Sequence, residues 1–519
     1  MNYPEDTICA LATIPGTGAI SVIRISGPDA LKATDTIVRF RRGAALSSEG
    51  YSLKFGSIYD GKDLLDDVVV AIFRNPHSYT GEDSAEISCH ASKYIASRIL
   101  ELLLDAGCRL AKPGEFTQRA FLAGKMDLAQ AEAVSDLIQA ESRYAHKIAL
   151  NQLKGGYSKD LAALRDKLLQ IASLLELELD FSEEDVEFAN RGQLESLLDD
   201  AISRIEKLRD SFRQGNAIRK GIPVAIIGSV NSGKSTLLNA LVGDQRAIVS
   251  DIAGTTRDSI EEVINLGGIQ YRFIDTAGLR DTSDKIEKIG IERAYEQLGK
   301  AEIVIGVLNA QSSKKECIDD AWKLISHIKE GQKLILVRNK VDIFDAFNPE
   351  DFPVRDSSYG IFEIKHPAFG TYDLSPEQLA KAIAKDGRED GAKGTEMAIL
   401  DISAKTGEGL DELKDAITEY GTKVLNTEDT LVTSERHYEA LGNALDSLYA
   451  TRNSLQSGIS TELLAEDLRQ SINSMNEIFG IGIGLLASDN TTSGAISTIS
   501  TISTETILSN IFQHFCIGK

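Results

Sequence analysis

Apolar and polar positions alternate in different ways along the chain, and each pattern predicts a different kind of structure. Up to about residue 120, short apolar runs such as AISVIRIS, DDVVVAIF and SAEISCH are separated by Gly, Pro and Asp, which predicts strands joined by turns. One helical pattern, SKYIASRILELLLDAG, lies among them. We therefore expect the chain to begin with a compact α+β domain.

Helical patterning follows from about residue 123 to 215, and it returns after residue 430. In the first stretch apolar residues recur at intervals of three and four, so they share one helical face. They are Leu161, Leu164, Leu168, Ile171 and Leu175. Between the helical stretches, from 222 to about 425, buried-strand runs such as IPVAIIG alternate with amphipathic helices, which is typical of a parallel α/β sheet.

These patterns predict a multidomain α+β protein. An N-terminal α+β domain is expected at 1–122, and an all-α helical domain at 123–217 together with 428–519. The α/β domain is expected at 218–427, inserted into the helical one. A chain of 519 residues exceeds the size of a single hydrophobic core, which agrees with this division.

Composition and charge narrow the class of protein. The chain is 42% hydrophobic and 26% charged, as folded globular proteins are, and its net charge of -22 argues against a general basic surface for nucleic acid. Any contact with nucleic acid must then be local or shared with a partner. The five cysteines are scattered, and no signal peptide or membrane span is evident, so we expect a protein of the reducing cytoplasm.

A phosphate-binding motif lies between the first strand and the first helix of the α/β domain. It is GSVNSGKS, from Gly228 to Ser235, and it fits G-x-x-x-x-G-K-[ST]. Backbone N–H groups of such a loop surround phosphate oxygens, Lys234 would neutralise the β and γ phosphates, and Ser235 would hold Mg²⁺. A glycine-rich turn without a ligand is the alternative interpretation.

Three shorter motifs follow in order, each at the end of a predicted strand. DTAG, from Asp275 to Gly278, would supply a carboxylate near magnesium and an amide that senses the γ-phosphate. NKVD, from Asn339 to Asp342, ends in a carboxylate that can accept both N1–H and N2–H₂ of guanine, a donor pair that adenine lacks. SAK, from Ser403 to Lys405, would donate a backbone N–H to guanine O6. The four motifs predict a GTP-binding domain.

The residue that orients the attacking water is not where Ras-type proteins carry it, because Leu279 follows DTAG in place of Gln. Either hydrolysis is slow and the protein is a passive switch, or another side chain orients the water. The segment LRDTSDKIEKIG offers Asp281, Asp284 and Glu287 for that role. The other interpretation of these acids is a solvated loop.

The chain resembles the MnmE (TrmE) family of tRNA-modification GTPases in GSVNSGKST, IAGTTRD, DTAGLR, IEKIGIERA, NKVD, SAKTGEGL and the terminal FCIGK. The resemblance extends to PGTGAISVIRISG, HSYTGEDSAEISCH and KPGEFTQRAFLAGKMDLAQAEAVSDLI, so it spans nearly the whole chain. It implies an N-terminal domain that binds a tetrahydrofolate one-carbon donor and dimerises, a central helical domain, and an inserted Ras-like GTPase domain.

The resemblance also implies a function and partners. Such proteins work as homodimers, form a heterotetramer with an FAD-dependent GidA/MnmG-type partner, and install a carboxymethylaminomethyl or aminomethyl group at C5 of the wobble uridine (U34) of certain tRNAs. The implied ligands are GTP, Mg²⁺, K⁺ and 5,10-methylene- or 5-formyl-tetrahydrofolate, with FAD and NADH on the partner. The alternative is a GTP switch that docks on RNA or ribosomes without a direct chemical role.

Residue by residue, the resemblance assigns roles in the GTPase domain. Glu287 matches the water-orienting carboxylate, and Arg257 and Asp258 complete the switch motif. The implied Mg²⁺ ligands are Ser235 and Thr256, and the implied K⁺ site, which would replace an arginine finger, comprises Asn231, Ser250, Ile252 and Thr255. The implied GTP-binding residues are Asn231, Ser232, Gly233, Lys234, Ser235, Thr236, Ser250, Asp251, Ile252, Ala253, Gly254, Thr255, Thr256, Asp275, Thr276, Ala277, Gly278, Asn339, Lys340, Asp342, Ser403, Ala404 and Lys405.

Four residues match the positions at which the family binds folate, namely Arg24, Glu86, Lys125 and Lys519. A pterin offers paired donors to a carboxylate such as Glu86, and a folate glutamate tail suits Arg or Lys. Glu82 is a rival to Glu86, and an ordinary ion pair within the sheet is the alternative role for Arg24.

The lone cysteine of the terminal CIGK, Cys516, has the position of a prenylation box, but Gly518 and Lys519 are unusual residues for one. A structural cysteine at a helix end is a second interpretation. The resemblance instead brings the tail to the folate pocket, with Cys516 as a thiol nucleophile or an acid/base group. Two segments, 343–398 and about 479–500, are longer than the family pattern, although neither removes a matched motif.

Overall fold

The structure is a computed structural model of the 519-residue chain. It describes residues 6–180, 191–229, 231–243, 262–274, 298–312, 320–321, 324–325, 327–329, 332–343, 362–366, 370–372, 396–425, 430–457, 460–480, 511–512, 515 and 518. The chain divides into two compact units. The first comprises Met1–Gln139, Ile148–Arg209 and Glu435–Lys519, and the second Ala140–Lys147 and Asp210–Ser434.

The first unit begins with a sheet whose strand order is β3-β4-β5-β6-β2-β1-β7 over the described residues. Its strands are β1 (Ile8–Leu11), β2 (Ile20–Ser26), β3 (Val38–Phe40), β4 (Ser52–Asp60), β5 (Asp63–Phe73), β6 (Ser84–His90) and β7 (Arg109–Leu110). Neighbouring strands are antiparallel, except that β1 and β7 are parallel. Helices α1 (Ala30–Ile37) and α2 (Lys93–Asp105) bury their apolar faces with Ile23, Ile25 and Ile87 of the sheet. The predicted α+β character of this region is confirmed.

A series of helices follows the N-terminal sheet. They are α3 (Glu115–Leu122), α4 (Leu128–Gln139), α5 (Arg143–Leu153), α6 (Gly156–Asp180) and α7 (Arg191–Asp210). All five apolar residues that define the predicted helical face lie on α6 and are buried, so the periodicity identified this helix correctly.

The second unit contains a mostly parallel sheet with the strand order β14-β13-β15-β12-β11-β8-β10-β9 over the described residues. Its strands are β8 (Ile222–Gly228), β9 (Glu262–Leu266), β10 (Ile269–Phe273), β11 (Ile303–Asn309), β12 (Lys333–Asn339), β13 (Phe362–His366), β14 (Gly370–Tyr372) and β15 (Glu396–Ile402). The described residues of this unit include helices α8 (Phe212–Lys220), α9 (Lys234–Gly243) and α10 (Leu410–Leu425), and a 3-10 turn at Val341–Ile343. The predicted α/β alternation is confirmed.

Strand direction determines where the motifs of the second unit lie. Strands β8, β11, β12 and β15 are parallel neighbours, so their carboxyl ends share one edge of the sheet. The segments that follow β8, β12 and β15 therefore meet there. Within the long segment 343–398, β13 pairs parallel with β15, and β14 pairs antiparallel with β13, so this segment extends the edge of the sheet.

The first unit is completed by α11 (Glu435–Gln456) and α12 (Thr461–Phe479), which pack against each other, and α12 also packs against α6. Buried Leu441, Leu445 and Leu468 lie on these two helices. The second long segment lies outside the described residues from position 481 onward. Over the part of the chain that the structure covers, no helix is long and apolar enough to cross a membrane.

Candidate functional site

The predicted phosphate-binding loop links β8 to α9, since Gly228 ends the strand and Lys234 begins the helix. The Lys234 Nζ donates hydrogen bonds to two carbonyl oxygens of the same loop, Gly228 O at 2.9 Å and Ser229 O at 2.8 Å. Burial lowers the pKa of Lys234. The ammonium is thus held inside the loop and beside a helix N-terminus, where anions are favoured.

Asn339, the last residue of β12, joins two of the predicted motifs. Its Nδ2 donates to Ser232 O of the phosphate loop at 2.9 Å, and its Oδ1 accepts the Ala404 backbone N–H of SAK at 3.0 Å. A Cβ atom on Gly233 would lie 2.1 Å from the Asn339 Nδ2, so this approach requires glycine in the loop. One buried carboxamide therefore fixes both segments against the end of β12.

A side chain of the SAK motif forms a hydrogen bond with the carboxylate of Asp342. Ser403 Oγ donates to Asp342 Oδ1 at 2.7 Å, and the Thr406 N–H donates to the same hydroxyl at 3.2 Å. Lys340 Nζ donates to Asn231 O at 2.7 Å, which adds a second connection between NKVD and the phosphate loop. The structure thus brings three predicted motifs together at one edge of the sheet.

Of the other predicted residues of the GTPase domain, some are located by the helix or loop that contains them, and the rest lie outside the described residues. Ser235 and Thr236 lie in the first turn of α9, and Lys405 follows Ala404 in the loop after β15. The predicted residues that lie outside the described part of the chain are Ser250, Asp251, Ile252, Ala253, Gly254, Thr255, Thr256, Arg257, Asp258, Asp275, Thr276, Ala277, Gly278, Glu287, Cys516 and Lys519.

The first unit brings together two of the predicted folate residues. Arg24 of β2 and Glu86 of β6 lie directly opposite each other in the sheet. The Arg24 Nε and Nη2 lie 2.9 Å and 2.8 Å from Glu86 Oε1. The Arg24 Nη1 also donates to Gly518 O of the C-terminal tail at 3.3 Å. We call Arg24, Glu86 and Gly518 the Arg24 cluster.

Two aromatic residues that the sequence analysis did not single out flank this cluster. The Arg24 guanidinium carbon lies 5.4 Å from the centre of the Tyr79 ring and 5.6 Å from that of Phe116. The Tyr79 hydroxyl is hydrogen-bonded to Thr117 Oγ1 at 2.8 Å, and burial raises the pKa of Tyr79. Phe116 is fully buried in a core cluster, whereas Tyr79 is 36% exposed, so of these two rings Tyr79 offers the accessible face to a flat heterocycle. Both aromatics lie in segments that carry the family resemblance, which is the signal that could have identified them.

The rival carboxylate, Glu82, serves a different purpose. It is buried, and its oxygens accept hydrogen bonds from Ser26 Oγ at 2.6 Å and from Arg119 Nη1 at 3.1 Å. Glu86 remains 29% exposed at its side chain, so it is the accessible carboxylate of the two. Lys125 is held by a separate contact, with its Nζ 2.9 Å from Pro76 O.

An ionic cluster in the helices was not anticipated from the sequence: His437 is buried, and Glu132 and Arg436 are partly exposed. Glu132 of α4 accepts a hydrogen bond from Arg436 Nε at 2.7 Å and lies 3.0 Å from His437 Nε2. Arg436 also donates to the Glu477 and Ile478 carbonyls at the end of α12, at 2.6 Å and 3.1 Å. The cluster thereby joins α4, α11 and the end of α12, from which the chain continues toward its tail.

Comparison with known proteins identifies relatives over the whole chain. A model of the MnmE helical domain matches residues 128–483, and one of the GTP-binding protein TrmE N-terminus matches residues 7–125. The tRNA modification GTPase MnmE of Bacteroides thetaiotaomicron is 44% identical over 518 residues, 99% of this chain and 100% of that protein. The same-named protein of Porphyromonas gingivalis is 43% identical over 524 residues, 100% of this chain and 99% of that protein.

One solved structure resembles the chain only remotely. A crystal structure of a GTP-binding protein from Sulfolobus solfataricus in complex with GDP covers 50% of this chain and 67% of its own, at 15% identity. The TM-score is 0.27, which is too low to bear on the function.

Proposed function

Because this chain belongs to the MnmE family, we propose that it is a GTP hydrolase that acts in tRNA modification, as the names of its relatives state. The observation that carries the proposal is the pair of hydrogen bonds made by Asn339, which joins the phosphate loop to the SAK loop. A binding site for a nucleotide needs its phosphate and base subsites at a fixed separation. Asn339 supplies that connection through a buried side chain.

Guanine selection is assigned to Asp342. Its Oδ1 accepts the Ser403 hydroxyl, so the carboxylate is oriented before any base arrives. A carboxylate can accept guanine N1–H and N2–H₂ together, whereas adenine presents no such pair. The Ala404 backbone belongs to the loop that we assign to guanine O6.

The catalytic assignments rest on the family resemblance. Lys234 would neutralise phosphate charge, Ser235 and Thr256 would hold Mg²⁺, and Glu287 would orient the attacking water. Mg²⁺ bound there would offset the charge that develops between the phosphates. A K⁺ ion is assigned to Asn231 and the loop that contains Ser250, Ile252 and Thr255, where it would act in place of an arginine finger.

The GTP proposal is tested by Asp342→Asn. An amide cannot accept both guanine donors, but it can donate to the C2 carbonyl of xanthine, so GTP turnover should fall about 100-fold and xanthosine triphosphate should become the better substrate. Asp411→Asn is the matched control, because that side chain is 92% exposed on α10. Unchanged preference for GTP in Asp342→Asn would refute the assignment.

GTP hydrolysis measured in K⁺ and in Na⁺ tests the K⁺ site, and equal rates in the two salts would contradict it. Hydrolysis by Glu287→Ala tests the water-orienting role of Glu287, and a rate equal to that of the wild type would contradict that role.

We assign tetrahydrofolate binding to the Arg24 cluster. Glu86 is partly exposed and would accept the paired donors of a pterin, and the partly exposed ring of Tyr79 would form an apolar wall. Lys125 and Lys519 are assigned to the anionic glutamate tail of the ligand. The burial of Glu82 favours Glu86 over its rival.

Binding of 5-formyl-tetrahydrofolate, measured by calorimetry, tests this assignment. Glu86→Gln should weaken binding about tenfold or more, because it removes one of two accepting oxygens and a charge. Glu101→Gln is the control, since that carboxylate is 58% exposed on α2 and pairs with Arg98. Equal affinities would contradict the site. If the chain hydrolyses GTP but supports no tRNA modification, the result favours the alternative, a GTP switch that docks on RNA or ribosomes without a direct chemical role.

The remaining assignments follow from the family. We propose a homodimer that forms a heterotetramer with an FAD-dependent GidA/MnmG-type partner, which would carry FAD and NADH, and that modifies U34 of tRNA in the cytoplasm. The domain boundaries 1–122, 123–217 with 428–519, and 218–427 are kept as part of this proposal. Light scattering of the chain alone and with the partner tests the assembly, and a monomer that never binds the partner would refute it.

A further inference from the structure

The C-terminal tail is seated on helices α3 and α4 by two buried aromatic side chains. Phe512 and Phe515 are 2% and 8% exposed, and they form a cluster with Leu128 and Ala131 of α4. Their ring centres are 5.2 Å apart, and Phe121 of α3 packs against the same cluster. Burial of two Phe side chains in one apolar cluster provides a substantial anchor for a short segment.

We call the apolar site that Phe512 and Phe515 occupy on α3 and α4 the seat of the tail. Gly114 lies in direct contact with the tail at this site. A Cβ atom at Gly114 would lie 2.7 Å from Phe512 O, 2.9 Å from Phe512 Cβ and 3.0 Å from Phe515 Cβ. These contacts involve the backbone and the first side-chain carbons of the tail, which cannot rotate away as the end of a long side chain can. Any residue other than glycine would therefore displace the tail as a segment.

The tail continues from this seat into the Arg24 cluster. Three residues after Phe515, the Gly518 carbonyl accepts the hydrogen bond from Arg24 Nη1. A Cβ at Gly518 would lie 2.6 Å from Leu11 O at the end of β1, so the tail also packs closely against the N-terminal sheet. The position of Gly518 relative to Arg24 thus depends on the positions of Phe512 and Phe515.

The start of the preceding segment is held on the same helices. Gly480 follows α12, and a Cβ there would lie 2.7 Å from Phe121 Cζ and 3.1 Å from Leu128 Cβ. The chain thus leaves and rejoins one surface, formed by α3 and α4, on either side of the long segment near 479–500. The described residues on either side of that segment therefore contact the same two helices.

We propose that Gly114 is a positioning residue for the proposed folate site: its missing side chain allows Phe512 and Phe515 to seat, which places Gly518 against Arg24. Gly114 has no catalytic role, because it contacts the tail and not the reacting groups. This inference rests on the proposed function only in that the Arg24 cluster is taken as the folate site. The seat itself is defined by the contacts of Gly114.

Gly114→Ala tests the proposal, with Gly61→Ala as a control for backbone strain. Both glycines are left-handed, with φ of +67° and +64°, but nothing lies within 4 Å of a Cβ at Gly61. The two substitutions therefore share the conformational cost and differ in the contact with the tail. Hydrogen exchange of the C-terminal peptide, 5-formyl-tetrahydrofolate affinity and GTP turnover are measured for both.

Gly114→Ala should accelerate exchange in the C-terminal peptide and weaken folate binding about tenfold, while GTP turnover, which belongs to the second unit, stays as in Gly61→Ala. If Gly114→Ala does not fold, Phe512→Ala replaces it, and the same loss of protection is expected. If these variants show the same hydrogen-exchange rates in the C-terminal peptide and the same folate affinity as the wild-type chain, the inference is overturned. If the wild-type chain binds no folate, the folate assignment fails, and the exchange measurement still decides the role of Gly114.

Discussion

Replacing Asn339 by alanine should weaken the GTPase unit at the point that joins its two nucleotide-binding loops. The side chain is 2% exposed and makes two hydrogen bonds, one to Ser232 O and one from the Ala404 N–H. Ser232 is fully buried, and Ala404 is 6% exposed, so water cannot readily replace the lost partner. The substitution therefore leaves one buried acceptor and one buried donor unsatisfied.

The expected cost follows from those two groups. Each buried polar group left without a partner costs about 1–3 kcal/mol, so the sum is about 2–6 kcal/mol if the loops keep their positions. If the loops instead separate to reach water, part of this cost is transferred to nucleotide binding, because GTP needs both of them in place. A cost of about 2 kcal/mol in that step corresponds to roughly a 30-fold rise in Kd for GDP.

Two measurements detect these outcomes: chemical denaturation with and without GDP, and titration with a fluorescent GDP analogue. Asn309→Ala is the control, because Asn309 lies directly opposite Asn339 on β11, and its Oδ1 accepts the Gln311 N–H within its own loop. We expect this control to change GDP affinity much less than Asn339→Ala. If Asn339→Ala kept both the stability and the GDP affinity of the wild type, the connection between the loops would not depend on this side chain.

Two further predictions concern the helices of the first unit. Burial raises the pKa of Glu132, but the positive charges of His437 and Arg436 lower it more strongly, from 4.5 to about 2. The ionised carboxylate therefore stabilises the fold above pH 4.5. This contribution is lost as the pH falls toward 2. The stability difference between wild type and Glu132→Gln should thus shrink by about 1–2 kcal/mol between pH 5 and pH 3, and a difference in urea denaturation that stays constant over this range would contradict it. Leu168→Ala should lower the free energy of unfolding by about 2–5 kcal/mol, because Leu168 is fully buried on α6. Its neighbour Leu169 is 43% exposed, so Leu169→Ala should change stability little. Similar losses of stability in both variants would show that burial does not decide the effect.

The nucleotide site was predictable from the sequence to a large extent. Lys234, Asn339, Asp342 and Ser403 each lie in a motif whose spacing reflects a local turn after a strand, and parallel strands bring such turns to one edge. The sequence did not indicate that Asn339 bonds to both other loops, since its partners are 107 and 65 residues away. Long-range pairings have no local signature in a single sequence.

The proposed folate site was predictable only in part. Arg24 and Glu86 were identified through the family resemblance, but their placement opposite each other depends on the register of β2 and β6. The choice between Glu82 and Glu86 needed the structure, because burial of Glu82 against Arg119 is a tertiary contact. The seat of the tail on Gly114 joins segments about 400 residues apart, and the sequence contains no pattern that relates them.

By itself, the sequence determined the class of each segment and the identity of the nucleotide-binding motifs. Those features depend on hydrophobic periodicity and on the backbone requirements of short loops, which act over a few residues. The tertiary structure decided which side chains meet: Asn339 with Ser232 and Ala404, and the tail with Gly114. Such meetings depend on strand register, on helix packing and on the space left by a missing side chain, and these arise only when distant parts of the chain are folded together.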